Sequence, residues 1–174
     1  VRASALARTV PSVAMPPAPS VPGPAPTAGE PPGILVDRDL RALVRDGSVR
    51  PADPASPLRP AQVQPASLDL RLGPGVHRVR AGFLPGVGSL EERVRDLSTS
   101  TLDLTAPGGA GLERGLVYLV RLEEELDLPE GLSVRFNPRS SAGRCDVFTR
   151  VLVPGHPRFD EAPAGYSGPL WLEV

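Results

Sequence analysis

Cysteine is all but missing from these 174 residues: Cys145 stands alone, so no internal disulfide framework can form. Histidine is almost as scarce, limited to His77 and His156, and no Cys-x-x-Cys pair occurs. A bound zinc normally needs three or four thiolate or imidazole ligands, so with this composition neither a structural nor a catalytic zinc is expected. An excess of one charge is absent too, with 19 Lys plus Arg against 20 Asp plus Glu. That balance draws the chain to no nucleic acid and no anionic membrane, and any anion it binds must be held by a few local residues. No apolar run approaches the ~20 residues that span a bilayer. A soluble, cytoplasmic protein is the expectation, of ordinary domain size and long enough to bury a core.

What is present divides into two parts. Residues 1–32 hold nine prolines, many alanines and only three charges (Arg2, Arg8, Glu30). Such a segment buries too little apolar surface to offset chain entropy, and it reads as a disordered Pro/Ala-rich tail. A targeting peptide is the rival, but no continuous apolar stretch follows the early arginines. The ordered module is expected over residues 33–174. Asp37 can cap a short helix over 38–46, with Leu40, Leu43 and Val44 on one face and Gly47 ending it. Leu68, Leu70 and Leu72 then alternate with Ser67, Asp69 and Arg71 at the period of a half-buried strand. A Gly-Pro-Gly turn leads to a strand at 76–80, and Ser89 with Glu92 forms a capping box for a second short helix. Further strands are expected at 101–105, 116–122, 132–136, 150–153 and 169–174. Short strands separated by Gly and Pro, with two minor helices, indicate a mainly β barrel or sandwich. A Val at position 1 suggests an alternative start codon, a cleaved product or a fragment. The final Trp171-Leu172-Glu173-Val174 reads as the middle of a strand, so residues are expected to be missing beyond it.

Three stretches could carry chemistry. In Asn137-Pro138-Arg139-Ser140-Ser141-Ala142-Gly143-Arg144, two arginines flank two hydroxyls, and Gly143 lets backbone approach a ligand. Guanidinium and hydroxyl groups suit phosphate oxygens, and a helix starting near Ser141 would add amide donors. A solvated turn with a serine cap would look the same. In Gln64-Pro65-Ala66-Ser67-Leu68-Asp69-Leu70-Arg71-Leu72, Ser67, Asp69 and Arg71 share one strand face, a pattern commoner on an exposed polar surface than in a site. In Gly165–Val174, Leu170, Leu172 and Val174 share one face while Trp171 and Glu173 share the other. A carboxylate beside an aromatic ring loses water, which suits it to proton transfer, although an exposed Glu on a solvated sheet face fits equally well.

Taken in this order, the three stretches resemble the dCTP deaminase family, relatives of the trimeric dUTPases. Ile34-Leu35-Val36-Asp37-Arg38-Asp39-Leu40 looks like that family's amino-terminal strand and helix. Gln64 to Leu72 resembles its QPAS-x-DLRL motif, Arg139-Ser140-Ser141-x-Gly143-Arg144 its RSS-x-x-R motif, and Leu172-Glu173 the pair that ends its catalytic strand. Pro138 stands where the compact enzymes have Gly, and the segment from Val151 to Ala164 is longer than their Asp-Pro-Gly turn. Both departures are similar to the long bacterial form, in which two related modules share one polypeptide, and this chain would be the first module.

The resemblance implies a dUTPase-like distorted β-barrel or β-clip and hydrolytic deamination of dCTP to dUTP and ammonia. It makes Glu173 the general base and acid, with Ser140 and Arg144 holding the attacking water. The nucleotide would be bound by Arg139, Ser140, Ser141, Ala142, Gly143 and Arg144, with Trp171 and Leu172 backbone groups at the pyrimidine edge; Asp160 joins this set with an unassigned role. Magnesium would arrive with the triphosphate rather than sit in a protein cage. Zinc deaminases carry H-x-E with P-C-x-x-C, and this chain has neither. The implied partners are dCTP and dUTP in a homo-oligomer with a trimer-like arrangement of modules. Two other readings stay open. A dUTPase, or a deaminase that also cleaves dUTP, would use an Asp-x-x-Tyr, whereas Asp160 and Tyr166 are six apart. A catalytically silent nucleotide-binding or structural module would share the fold without the reaction.

Overall fold

The computed structural model describes residues 3–9, 33–86 and 88–174. Ten strands and three short helices follow in chain order: β1 (Ala3–Thr9), α1 (Asp37–Arg45), β2 (Val49–Pro51), β3 (Leu68–Asp69), β4 (Leu72–Val79), α2 (Leu90–Leu97), β5 (Ser98–Asp103), β6 (Val117–Asp127), β7 (Leu132–Pro138), α3 (Ser140–Gly143), β8 (Arg150–Leu152), β9 (Glu161–Ala162) and β10 (Ser167–Glu173). They form two antiparallel sheets, one ordered β3-β1-β7-β9 and the other β5-β4-β6-β10-β8, with β2 added beside β6. The expected mainly β architecture is therefore present.

One core joins the sheets. It takes Leu68 from β3, Leu132, Val134 and Phe136 from β7, Leu122 and Leu126 from β6, and Leu170 and Leu172 from β10. A second core, on the far side of β10, holds Trp171 with Val79, Leu90, Val94, Leu119 and Leu152. β10 thus has an apolar environment on both faces. Leu170 and Leu172 are wholly buried, and each contributes about 1.5–3 kcal/mol by leaving water. A slip of one residue would exchange them with Trp171 and Glu173, so the register that aims Glu173 is strongly set.

Four expectations need correction. The tail was read as disordered throughout, yet Ala3–Thr9 forms β1, paired with β7 over its whole length and with β3 at Ser4 and Ala5. Composition averaged over 32 residues hid a proline-free stretch, and a strand inserted between two others needs backbone pairing more than apolar bulk. Residues 10–32, the rest of that expected tail, lie outside the described residues. The Gly-Pro-Gly turn at 73–75 is not a turn: β4 runs through it, with a register irregularity against β6 between Leu72 and Val76. Gly73 permits this because a Cβ there would lie 2.6 Å from the Arg121 carbonyl oxygen. Among the described residues α-helices number three rather than two, since Ser140–Gly143 closes a single turn. The α1 cap is Val36 rather than Asp37, and Asp37 begins the helix.

Candidate active site

Glu173 closes β10 with its side chain 8% exposed. As the alternation required, it faces the same side as Trp171, away from Leu170 and Leu172. Its neighbour across the sheet is Arg150, the first residue of β8, directly opposite in the β8–β10 register. Arg150 Nε donates to Glu173 Oε1 at 2.9 Å, and Nη2 donates to the same oxygen. The guanidinium lies 4.2 Å from the centre of the Phe159 ring, a cation–π contact that fixes its plane. Glu173 Oε2 is buried with no hydrogen-bond partner among the described residues, and so is the indole Nε1 of Trp171. Gly82 is the residue beside Oε2: a Cβ at that position would stand 3.1 Å from it. The His77 ring lies near Trp171, tilted, at 6.0 Å between centroids.

The arginine–serine segment is built differently. β7 ends at Pro138, and α3 follows at once. Arg139, Ser140, Ser141, Gly143 and Arg144 are exposed, while Ala142 is buried and pins the turn to the body. Among the described residues the side chains of Ser140, Ser141 and Arg144 make no hydrogen bond or ion pair. Arg139 has one partner, Asp69, at 3.2 Å. Between them opens a cleft of about 420 Å³ lined by Gln64, Ala66, Ser67, Asp69, Asn137, Pro138, Arg139 and Ser140. Two of the three sequence stretches therefore line one cleft.

The cleft's inner wall corrects a further expectation. Asp69 and Arg71 were read as an exposed polar face, but both are buried. Arg71 Nε donates to Glu124 Oε1 at 2.7 Å, its backbone N–H donates to Oε2 at 2.7 Å, and its remaining nitrogens reach Ser56 and Glu123. Gln62 Nε2 donates to both Glu124 Oε1 and the Asp69 carbonyl, each at 2.8 Å. Glu124 is wholly buried, and every oxygen it presents is used. A buried charge survives only when paired and hydrogen-bonded in this way. The network holds β3 and the start of β4 against β6, and so sets where Asp69 meets Arg139.

Asp160 is an anchor in the described structure. Its Oδ1 accepts the Val151 N–H at 2.7 Å, and its own N–H donates to the Val151 carbonyl at 2.9 Å. Burial pushes its carboxyl above the ordinary carboxylate range, opposed by that N–H and by Arg150. Tyr166 donates its hydroxyl to the Pro169 carbonyl at 2.6 Å, and burial pushes its pKa upward. The backbone at Trp171 and Leu172 lies between β6 and β8, so the sheet ladder competes for the groups that the resemblance assigns to a pyrimidine edge. Sequence reasoning missed Arg150, Gly82, Phe159 and Glu124. A cross-strand register would have found Arg150; nothing in local periodicity marks it.

No hydrogen bond, ion pair or shared cavity among the described residues links Glu173 to the Arg139–Arg144 segment. Nor do three His, Cys, Asp or Glu side chains come together as a metal cage among those residues.

Residues 31–174 match the family described as the 2'-deoxycytidine 5'-triphosphate deaminase N-terminal domain. The chain belongs to that family. It is 30% identical over 141 residues to a protein of Streptomyces griseus named dCTP deaminase, dUMP-forming, a match covering 81% of this chain and 68% of that one. A protein of Salinispora arenicola with the same name is 31% identical over 141 residues, covering 81% and 67%. The crystal structure of 2'-deoxycytidine 5'-triphosphate deaminase from Agrobacterium tumefaciens superposes with a TM-score of 0.74 at 47% identity. That match covers 81% of this chain but 41% of the Agrobacterium chain, so this chain spans less than half of that protein's length. The dUTPase-like fold expected of a deaminase module is thereby borne out. No helix among the described residues is long and apolar enough to cross a membrane.

Proposed function

We propose that the chain is the part of a dCTP deaminase that carries its proton-transfer carboxylate and its triphosphate-binding arginines. The observation that carries this reading is Glu173: nearly buried, clamped through one oxygen, with the other unpaired beside Trp171 in a chain of the deaminase family. A group poised like this suits general acid–base work. Glu173 takes a proton from water as the hydroxide adds to C4 of cytosine, and passes that proton to N3. It then takes the proton of the new C4 hydroxyl and delivers it to N4, so the C4–N4 bond breaks, the C4 carbonyl forms, ammonia leaves and Glu173 is again a carboxylate. Water and dCTP are consumed; a uracil nucleotide and ammonia are formed.

Ser140 and Arg144 hold the attacking water, and Arg139 and Ser141 bind the triphosphate. The exposed side chains of Ser140, Ser141 and Arg144, unengaged among the described residues, support that assignment, as does the exposure of Arg139, which Asp69 alone holds. Because they stand apart from Glu173 within this chain, the complete site is composite, with the arginine–serine segment of one module meeting the Glu173 corner of another, in an oligomer of modules. Magnesium would come in with the triphosphate and neutralise part of its charge, rather than be held in a protein cage. The cleft fits that arrangement, since its one buried carboxylate, Asp69, is already engaged by Arg139. Zinc has no part in the reaction.

The product divides two readings. The relatives' name, dUMP-forming, supports further cleavage of dUTP. The commitment of Asp160 and Tyr166 to backbone partners supports stopping at dUTP, because neither is free to orient a second water. The test is to incubate the full-length protein with dCTP and magnesium in the presence of a zinc chelator. Ammonia and dUTP should appear together; pyrophosphate in equal amount would establish the dUMP-forming reading, and a requirement for added zinc would overturn the water activation proposed here.

A further inference from the structure

The geometry points to Arg150 as the positioning residue that assigns the two oxygens of Glu173 different work, with Oε1 held as an anchor and Oε2 left to exchange the proton. This rests on the proposed deaminase reading of the same site and adds to it a clamp and a direction.

Both donors that Arg150 offers to Glu173 converge on Oε1. Oε2 receives none, although it is buried. A carboxylate held by one oxygen cannot rotate without breaking charge-assisted hydrogen bonds, so its second oxygen keeps one orientation. The clamp is itself held from two sides. Phe159 lies under the guanidinium, and the next residue, Asp160, ties that loop to the backbone of Val151, beside Arg150. The arginine–glutamate register on β8 and β10 supplies the third constraint. Arg150 is about half exposed, so solvent screens its charge and orientation is its larger contribution.

The position of Oε2 is permitted by a missing atom. A Cβ at position 82 would stand 3.1 Å from Oε2, closer than ordinary packing allows. With glycine there, the buried Oε2 keeps the orientation that the Arg150 clamp gives it, whereas a side chain would push the carboxylate off that position. The unpaired indole N–H of Trp171, on the same face of β10, is a second polar atom available there. The corner therefore holds one oriented, unpaired acceptor and an unpaired donor on the same face of β10, with Gly82 leaving room for that orientation.

The experiment compares Arg150→Gln, Arg150→Lys, Gly82→Ala and Glu173→Gln in the full-length protein, reading dCTP affinity and single-turnover ammonia release separately. Misplacing a reacting group by about 1 Å costs on the order of 10²-fold in rate. Arg150→Gln should therefore lose about that much turnover while binding dCTP as the wild type does. Arg150→Lys, which keeps one charged donor, should recover part of the loss, and Gly82→Ala should slow turnover without weakening binding. A purely structural salt bridge would instead lower the unfolding midpoint in both arginine variants and leave the turnover of folded enzyme unchanged; that result overturns the inference. Should Arg150→Gln fail to fold, Arg150→Lys and Gly82→Ala decide, and wild-type turnover in both overturns it. If Glu173→Gln abolishes ammonia release while the Arg150 and Gly82 variants turn over normally, only the clamp is lost. If Glu173→Gln itself turns over normally, the deaminase reading of this corner falls and the clamp with it.

Discussion

Glu173 and Arg139 are both charged and both stand at the end of a strand, yet one side chain is 8% exposed and the other 45%. Glu173 has a dedicated cation opposite it and an apolar wall beside it. Arg139 has a single carboxylate contact and is followed by two serines and an arginine whose side chains engage nothing among the described residues. The contrast fits two different tasks. Proton transfer needs an acceptor fixed to within a fraction of an ångström and shielded from bulk water. Holding a triphosphate needs several donors that can close on a large, mobile, highly charged ligand, and donors already satisfied within the fold could not do so without losing those bonds. On the proposed reading, the rigid half of the site is finished inside the chain, and the adaptable half is left open at its surface.

The contrast can be broken from the scaffold side first, where the largest effect is expected. Glu124 lies behind the cleft and carries Arg71 and Gln62. Glu124→Ala leaves a buried guanidinium with a damaged partner set, which costs about 3–5 kcal/mol. Chemical denaturation should show that loss, and Arg139 should lose its register against Asp69. A second break acts on the open half alone. Arg139→Ala removes a charged donor worth about 1.5–3 kcal/mol to an anionic ligand. Affinity for dCTP should fall by about 10–100-fold in calorimetry, with a smaller drop in unfolding midpoint than Glu124→Ala gives, because the buried Asp69 loses its cation.

Deleting residues 1–9 should strip β7 and β3 of the strand between them. A loss of 1 kcal/mol moves the midpoint of a domain this size by about 2–4 °C. A drop of several degrees, with faster amide exchange along β7, is expected; an unchanged midpoint would restore the disordered-tail reading. The smallest effect concerns His156, in the long loop after β8. Burial lowers its pKa from the ordinary 6.5, with Glu161 opposing and Arg158 and Arg135 adding to the shift. The unfolded chain then binds the proton more readily than the folded one, so stability should decline as pH falls from 6.5 toward the lowered value. His156→Gln should flatten that part of the stability profile.

Much of the Glu173 half was legible in sequence because a strand's period of two assigns faces without any knowledge of partners. Leu170 and Leu172 had to oppose Trp171 and Glu173, and they do. Arg150 was illegible for the complementary reason: it lies 23 residues from Glu173, and only the register of two strands brings the pair together. Asp69 and Arg71 were misread as surface residues because their alternation is that of a polar face; the Glu124 that offsets the burial of Arg71 lies 53 residues beyond it, and Asp69 finds its cation in the distant Arg139. β1 escaped notice because composition is an average, and pairing is local.

The most direct test of the division between a rigid proton-transfer half and an open phosphate-binding half is to measure dCTP affinity and single-turnover ammonia release for Glu173→Gln and Arg139→Ala in the full-length protein. General base catalysis is worth about 10²–10⁴-fold, so Glu173→Gln should lose at least that factor in turnover while still binding dCTP. Arg139→Ala should bind more weakly and, once saturated, release ammonia at a rate much closer to the wild type. Deamination by Glu173→Gln at the wild-type rate would contradict the division, and this chain would then be a nucleotide-binding or structural module whose catalyst lies elsewhere.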